Sequence, residues 1–161
     1  MWDEGWHREH LVRIGEKFHL GERTGLFAGQ ETGGDFPELH LVSSSKWRDG
    51  ETANLCIGQG AIAVTPIQMA VMVSAIANGG KVLWPRLIAR IEPQDPATGD
   101  VATNFPSGRV RNELGVNPRN LKILREAMLA DVASEEGSGR PAALAGLQIC
   151  GKTRHCPGAG C

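Results

Sequence analysis

Apolar residues fill almost every position of one segment near the middle of the chain, residues 66–77. Thr65 is a favoured N-cap before it, Pro66 suits the first turn because its missing N–H costs nothing there, and Gln68 completes a capping box with Thr65. Asn78-Gly79-Gly80 then ends the segment, because these residues accept a left-handed backbone. A helix that is apolar on all faces is predicted to be buried all round, and this one is too short for the roughly 20 apolar residues of a membrane span.

Two further segments repeat apolar residues at helical spacing. The first runs from Glu9 to His19, and the second begins at Asn117-Pro118, where Asn117 is a good cap and Pro118 fits the first turn. The positions predicted to face the core are Leu11, Ile14 and Phe18 in the first helix and Leu121, Leu124, Met128 and Val132 in the second.

Short apolar runs without helical spacing predict strands at residues 39–42, 55–57, 81–91 and 146–151. The run at 55–57 fits a tight approach to a helix equally well. Long segments rich in Gly, Pro and Asp separate these elements, above all residues 22–49 and 92–108. Helices and strands spaced in this irregular way favour an α+β fold over a doubly wound parallel sheet.

Composition and charge exclude several function classes. A length of 161 residues suggests one domain, and 17 Lys and Arg against 18 Asp and Glu leave no basic face of the kind that binds nucleic acid. The first ten residues are polar and mixed in charge, unlike an export signal, and no apolar run is long enough to cross a membrane. We therefore expect no nucleic-acid partner, no signal peptide and no transmembrane segment.

The cysteines offer one weak metal-binding pattern, near the end of the chain. Cys150, His155, Cys156 and Cys161 are residue types that hold zinc, but structural zinc sites typically use paired C-x₂₋₄-C ligands. Cys156 and Cys161 are spaced more loosely than that, and Cys150 lies within an apolar run. We expect no metal and no cofactor, and we expect Cys56 and Cys150 to behave as small apolar residues.

The segment Ser43-Ser-Ser-Lys46 has S-x-x-K spacing. On a helix this spacing places a nucleophilic Ser and a Lys one turn apart. The residues that follow, Trp47 to Gly50, have no apolar periodicity and contain a helix-breaking Gly. We therefore predict a solvated loop without a catalytic role.

Taken together, several segments resemble the transpeptidase domain of penicillin-binding proteins, in particular the elongation-specific class B type, penicillin-binding protein 2. They are Gly21-Glu-Arg-Thr-Gly25, Gly50-Glu-Thr-Ala-Asn-Leu-Cys-Ile-Gly-Gln-Gly60, Thr65-Pro-Ile-Gln-Met-Ala70, Ala77-Asn-Gly-Gly80 and Gly151-Lys-Thr153. The resemblance implies an α+β domain with an antiparallel sheet and packed helices, of which residues 11–153 form an incomplete, C-terminal part. Residues 1–10 are then an atypical N-terminus, and residues 154–161 a tail outside the family pattern.

Three motifs carry the chemistry of this family: S-x-x-K with the acylated Ser, S-x-N, and K-T-G on a strand beside the site. The resemblance places the first two upstream of Met1, so no catalytic residue is assigned in this chain. It assigns Lys152 and Thr153 to the third motif, as a cation near the substrate carboxylate and a hydroxyl that donates a hydrogen bond to it. Where the family has Gly after this pair, the chain has Arg154.

Two Gly residues bracket Gln59 just before the apolar segment. The resemblance makes Gly58, Gln59 and Gly60 candidates to line the site, and the alternative is a purely structural turn.

The resemblance also implies an activity, partners and a location. A D,D-transpeptidase of this family acylates its Ser with a peptidoglycan stem peptide, releases D-alanine and passes the acyl group to a neighbouring stem amine. Its expected partners are stem peptides, β-lactams that mimic the acyl donor, and cell-wall elongation proteins. The family domain faces the periplasm on an inner-membrane anchor. Alternatives for this chain are a non-catalytic partner-binding or structural module and an unfolded truncated product.

The tail Arg154-His-Cys-Pro-Gly can be written in codons as CGG-CAC-TGC-CCA-GG. Without its first base the same text reads Gly-Thr-Ala-Gln, which continues Lys152-Thr153 as the family sequence does. We therefore hypothesise that residues 154–161 are an out-of-frame ending produced by a single-base insertion. The nucleotide sequence tests this hypothesis, because codons that cannot be re-read in this way reject it.

Overall fold

The chain divides into two structural units, Met1–Leu114 and Gly115–Cys161. A computed structural model describes residues 4–26, 29–95 and 99–153, with side chains from residue 8 onward. The first unit holds the helices α1 (Glu4–Lys17), α2 (Leu39–Val42), α3 (Asp49–Cys56) and α4 (Pro66–Ala77) and the strands β1 (Lys81–Leu83), β2 (Arg90–Ile91), β3 (Thr103–Asn104) and β4 (Val110–Glu113). In its described residues the second holds α5 (Pro118–Ala133) and a 3₁₀ turn, Arg140–Ala142. The predicted α+β class is confirmed.

Helix α4 begins and ends where the sequence predicts. The backbone N–H of Gln68 donates to Thr65 Oγ1 at 3.3 Å, and the Thr65 N–H donates to Gln68 Oε1 at 2.8 Å, which completes the predicted capping box. At the other end, the Gly80 N–H donates to the Ala75 carbonyl at 2.7 Å, and Gly79 has a φ of 91°. That left-handed residue closes the helix as glycine caps do.

The prediction that α4 is buried all round is wrong. Within α4, which is described throughout, the buried residues are Gln68, Ala75 and Ile76, whereas Met69 and Val73 are 40% and 43% exposed. Helix α4 packs against β1 along one side. Its uniform apolarity indicates a helix that needs cover on all faces, but the described residues of the first unit cover only one.

Antiparallel strand pairs follow α4. Strand β1 pairs with β4, Lys81 opposite Glu113, with an irregularity in register after Val82, and β2 pairs with β3, Arg90 opposite Asn104. The predicted single strand over 81–91 is therefore two short strands in separate pairs. The predicted loop over 92–108 contains strand β3, which pairs with β2. The Pro- and Gly-rich sequence there does not predict a strand.

The face that α1 buries differs from the prediction. Val12 is fully buried, whereas Leu11 and Ile14 are each 38% exposed. The Phe36 ring lies directly against Gly15, so closely that a Cβ there would be 2.1 Å from it. An aromatic side chain from the following loop thus selects the face of α1 that carries Gly15.

Two short apolar runs predicted as strands are helical. Residues 39–42 form α2, and residues 55–56 form the last turn of α3, beyond which Ile57 is 63% exposed. Helix α3 begins with a hydrogen bond from the Arg48 N–H to Glu51 Oε2 at 2.6 Å. Periodicity does not distinguish helix from strand over so few residues, and local capping decides here.

In the second unit, α5 begins as predicted, since the Asn117 side chain accepts the Arg119 N–H at 2.9 Å. Leu121 and Val132 are buried as expected, but Leu124 is 41% exposed. The strand predicted over 146–151 is not formed in the described part of this unit. Among the helices that the structure describes, none combines the length and apolarity needed to cross a membrane.

Candidate functional site

Lys152 and Thr153 are adjacent in the second unit, where the chain runs back along α5. The Gly151 N–H donates to the Met128 carbonyl at 3.1 Å and fixes this approach. Both residues are exposed and, contrary to the prediction, neither lies on a strand. The Lys152 ammonium donates to the Thr153 carbonyl oxygen at 2.7 Å, so the two residues are hydrogen-bonded to each other without a ligand.

The Thr153 hydroxyl contacts a second pair of polar side chains. Thr153 Oγ1 lies 2.5 Å from Ser138 Oγ, and Ser138 Oγ in turn donates to Asp131 Oδ1 at 2.9 Å. The Ser138 N–H also donates to Asp131 Oδ1, at 3.1 Å. The structure therefore joins Thr153 to Asp131 through one serine. The sequence analysis missed both Asp131 and Ser138, because neither belongs to a motif.

Glycines allow the loop after α5 to close over Asp131. A Cβ at Gly137 would be 2.0 Å from the Asp131 carbonyl oxygen, and a Cβ at Gly139 would be 2.9 Å from Asp131 Oδ2. The Gly139 N–H donates to the Asp131 carbonyl at 3.1 Å, and Arg140 Nη1 donates to the Ala133 carbonyl at 3.0 Å. The small residues that the sequence analysis took as loop thus place Ser138 on the carboxylate.

The Asp131 carboxylate is stabilised in its charged form. The Ser138 hydroxyl is the main cause that lowers the pKa of Asp131, and the backbone N–H groups of Gly139 and Ser138 and the charge of Lys152 add to it, against an opposing effect of burial. Asp131 is therefore ionised at neutral pH and accepts hydrogen bonds only. Its Oδ2 is buried and has no hydrogen-bond partner among the residues that the structure describes.

Gly58, Gln59 and Gly60 belong to the first unit, not to the unit of Lys152 and Thr153. The Gly58 N–H donates to the Leu55 carbonyl at 3.1 Å and the Gln59 N–H to the Asn54 carbonyl at 2.8 Å, with Gly58 at a φ of 70°. These bonds form a Schellman motif at the end of α3. Gly58 and Gln59 thus have a structural role as the cap of α3.

A small pocket of about 40 Å³ lies beside this cap. Gln59 and Gly60 line it together with Pro37, Trp47, Glu51, Asn54, Leu55 and Ala61. Gly60 has a φ of 84°, and a Cβ there would be 3.2 Å from the Asn54 Cβ.

The S-x-x-K segment lacks the helix that its chemistry requires, as predicted. Helix α2 ends at Val42, and Ser43 is its C-cap. The Ser43 hydroxyl lies 2.9 Å from both the Leu39 carbonyl and Glu9 Oε1. Lys46 is exposed in the turn that follows.

Metal-ligand types do not gather in the described residues: no group of three or more His, Cys, Asp or Glu side chains suited to a metal occurs there. Cys56 and Cys150 are free thiols, and both are exposed rather than packed as small apolar residues. His155, Cys156 and Cys161 lie outside the described residues, as does the rest of the tail.

Comparison with known sequences and structures gives a consistent set of relatives. The profile of the penicillin binding protein transpeptidase domain matches residues 7–153. The peptidoglycan D,D-transpeptidase MrdA of Acinetobacter baumannii is 34% identical over 140 residues, which cover 85% of this chain and 20% of the relative. The penicillin-binding protein PbpB of Mycolicibacterium smegmatis is 32% identical over 152 residues, 90% of this chain and 21% of the relative.

Among solved structures, penicillin binding protein 3 of Mycobacterium tuberculosis in complex with ampicillin superposes with a TM-score of 0.64 at 30% identity. That match covers 81% of this chain and 27% of the solved one. The chain thus spans about a fifth of the length of the curated relatives that it matches.

Proposed function

The chain belongs to the penicillin binding protein transpeptidase family, and we propose that it is the C-terminal part of a peptidoglycan D,D-transpeptidase domain. In this proposal the domain part, predicted from the sequence as residues 11–153, includes the whole range of the family match, residues 7–153, and residues 154–161 lie outside it. Its role is to bind the acyl donor, through Lys152 and Thr153. In this proposal none of the residues 1–161 is the acylated Ser, so that these residues alone are not expected to be acylated.

The observation that carries the proposal is that the family match extends to Thr153 and so includes the Lys152-Thr153 pair. Both side chains are exposed and adjacent, with the ammonium bonded to the Thr153 carbonyl at 2.7 Å. A fixed cation beside a hydroxyl suits the C-terminal carboxylate of a stem peptide, because a charge-assisted bond is stronger than a neutral one. β-Lactams carry a comparable carboxylate, and ampicillin is bound by the mycobacterial relative.

Within the family we propose the elongation-specific type. The identity to MrdA of Acinetobacter baumannii, 34%, supports this choice, although PbpB of Mycolicibacterium smegmatis follows at 32%. The whole protein would then cross-link stem peptides in the periplasm, on an inner-membrane anchor and together with elongation proteins.

We further propose that Gly58, Gln59 and Gly60 line the site in the complete domain. The pocket lined by Gln59 and Gly60 supports this role, and Gly58 and Gln59 also cap α3. The exposed face of α4, with Met69 and Val73, would pack against other parts of that domain.

The binding role is tested by titrating the chain with N-acetyl-D-alanyl-D-alanine and following backbone amide shifts by NMR. We expect the Lys152 and Thr153 amides to shift with the free acid and not with its C-terminal amide, because the carboxylate is the group recognised. Lys152→Ala should weaken binding up to about fivefold, since an exposed ion pair contributes about 1 kcal/mol at most.

Lys122→Ala is the matched control, because Lys122 is an exposed cation of the same unit that lies 3.8 Å from Glu126. This variant should bind as the parent chain does. Shifts that are equal for acid and amide, or equal losses in the two Lys variants, would contradict the binding role. A partner-binding module without this site, the alternative function, would give that result.

A further inference from the structure

We infer that Ser138, held by Asp131, is a positioning residue: its Oγ accepts a hydrogen bond from the Thr153 hydroxyl, so that this hydroxyl does not donate to a bound carboxylate. The inference rests on the proposed function of Lys152 and Thr153 and adds two residues that the family motifs do not name. It also specifies the atom to which the hydroxyl protons of Ser138 and Thr153 each point.

The order of the protons follows from charge and geometry. A carboxylate accepts hydrogen bonds only, and Ser138 Oγ lies 2.9 Å from Asp131 Oδ1, so the single Ser138 hydroxyl proton points to Asp131. Ser138 Oγ is then an acceptor towards Thr153 Oγ1, 2.5 Å away. The Thr153 hydroxyl proton therefore points to Ser138.

This order decides what Thr153 offers to a ligand. Its hydroxyl has one proton, which is committed to Ser138, and its free lone pairs would repel a carboxylate. In this state Lys152 is the donor of the pair, since its ammonium has three protons and one of them goes to the Thr153 carbonyl. For Thr153 to donate to a carboxylate, its bond to Ser138 must break.

The surroundings hold Ser138 firmly in the accepting role. The Ser138 N–H donates to the same Asp131 oxygen at 3.1 Å, so the serine is fixed by backbone and side chain together. A Cβ at position 139 would be 2.9 Å from Asp131 Oδ2, so the glycine there allows the carboxylate to lie against the loop. The low pKa of Asp131 keeps it charged at neutral pH, which preserves the proton order.

The direct test is the hydroxyl proton of Thr153 in the unliganded chain, observed by NMR. We expect a resonance that exchanges with water more slowly than that of a hydroxyl bonded to solvent, because the proton is donated to Ser138. Ser138→Ala should abolish this slow exchange of the Thr153 hydroxyl proton. Ser138→Thr, which keeps a hydroxyl at this position, should preserve it. Ser134→Ala, in the same loop, should leave it unchanged, since the Ser134 hydroxyl contacts the Glu136 N–H at 3.3 Å.

The second test is the affinity for N-acetyl-D-alanyl-D-alanine. Freeing the Thr153 proton should make Ser138→Ala bind about threefold to fivefold more tightly, as expected for one hydrogen bond of about 1 kcal/mol. In a Thr153→Val background the same change should have no effect, because the hydroxyl is absent.

The two arms separate the inference from the proposed function. A Thr153 hydroxyl proton that exchanges freely in the parent chain, or tighter binding of Ser138→Ala that persists in the Thr153→Val background, would overturn the role of Ser138 even if the dipeptide binds. If no variant binds the dipeptide, the proposed function fails, and the hydroxyl exchange alone still supports or overturns the proton order.

Discussion

At the scale of single residues, a buried amide organises the first unit. Gln68 is 2% exposed, and its Nε2 donates to the carbonyls of Glu22, at 2.8 Å, and Gly33, at 2.7 Å, while its Oε1 accepts the Thr65 N–H. One side chain thus caps α4 and ties down both ends of the turn-rich segment between Glu22 and Gly33. The sequence predicts the cap, since it is a local pattern, but not the tie, which joins residues far apart.

Gln68→Ala should lower the free energy of unfolding by about 3 kcal/mol, because it leaves two carbonyls unpaired and removes half of a capping box. Gln94→Ala, at an exposed position of the same unit, should change it by less than about 0.5 kcal/mol. Urea denaturation of the three chains measures both. Equal effects of the two substitutions would show that Gln68 does not hold the segment.

In the candidate site, too, the sequence predicts the residues that belong to a local motif but not those that the fold brings to them. Lys152 and Thr153 are found from a motif whose residues are neighbours in sequence. Asp131 and Ser138 reach Thr153 only because Gly137 and Gly139 let the loop close over the end of α5. That closure depends on backbone contacts that no residue pattern displays.

At the scale of elements, the capped beginnings of α4 and α5 are predictable, whereas α1 spans Glu4–Lys17 rather than the predicted Glu9 to His19, and the faces that the helices bury are not predictable. Capping residues fix where α4 and α5 begin, because a cap acts within one turn. The face that a helix buries depends instead on what packs against it, as Phe36 does against Gly15 of α1. Short strands are the hardest elements to predict. Strand β1 pairs with β4, although β2 and β3, which pair with each other, lie between them in the sequence.

The one-sided burial of α4 predicts unequal costs for two neighbouring truncations. Ile76→Ala should lower the free energy of unfolding by about 2–4 kcal/mol, because Ile76 is 9% exposed. Val73→Ala should cost less than about 1 kcal/mol, because Val73 is 43% exposed in this chain. Thermal and urea unfolding measure both, and equal losses would mean that α4 is covered on the Val73 side as well.

At the scale of the whole molecule, much apolar surface has no cover from the described residues. The core consists of aliphatic side chains such as Val12, Val42, Val82 and Leu114, whereas other aliphatic side chains, such as Leu87, Ile88 and Leu147, are about half to two-thirds exposed. The chain spans about a fifth of the relatives that it matches. The family could be read from ordered segments along the sequence, because each segment keeps its own local pattern. The packing of those segments could not, because it depends on partners elsewhere in the fold.

The central claim is that this chain holds the carboxylate-binding pair of a transpeptidase without its nucleophile. Incubation with ampicillin followed by intact-mass spectrometry tests it most directly, with a complete penicillin-binding protein in the same mixture as the positive control. We predict that the control gains the mass of the acyl group and that this chain does not. An adduct on the chain, lost in Ser43→Ala but kept in Ser45→Ala, would contradict the claim and identify Ser43-Ser-Ser-Lys46 as an active S-x-x-K motif.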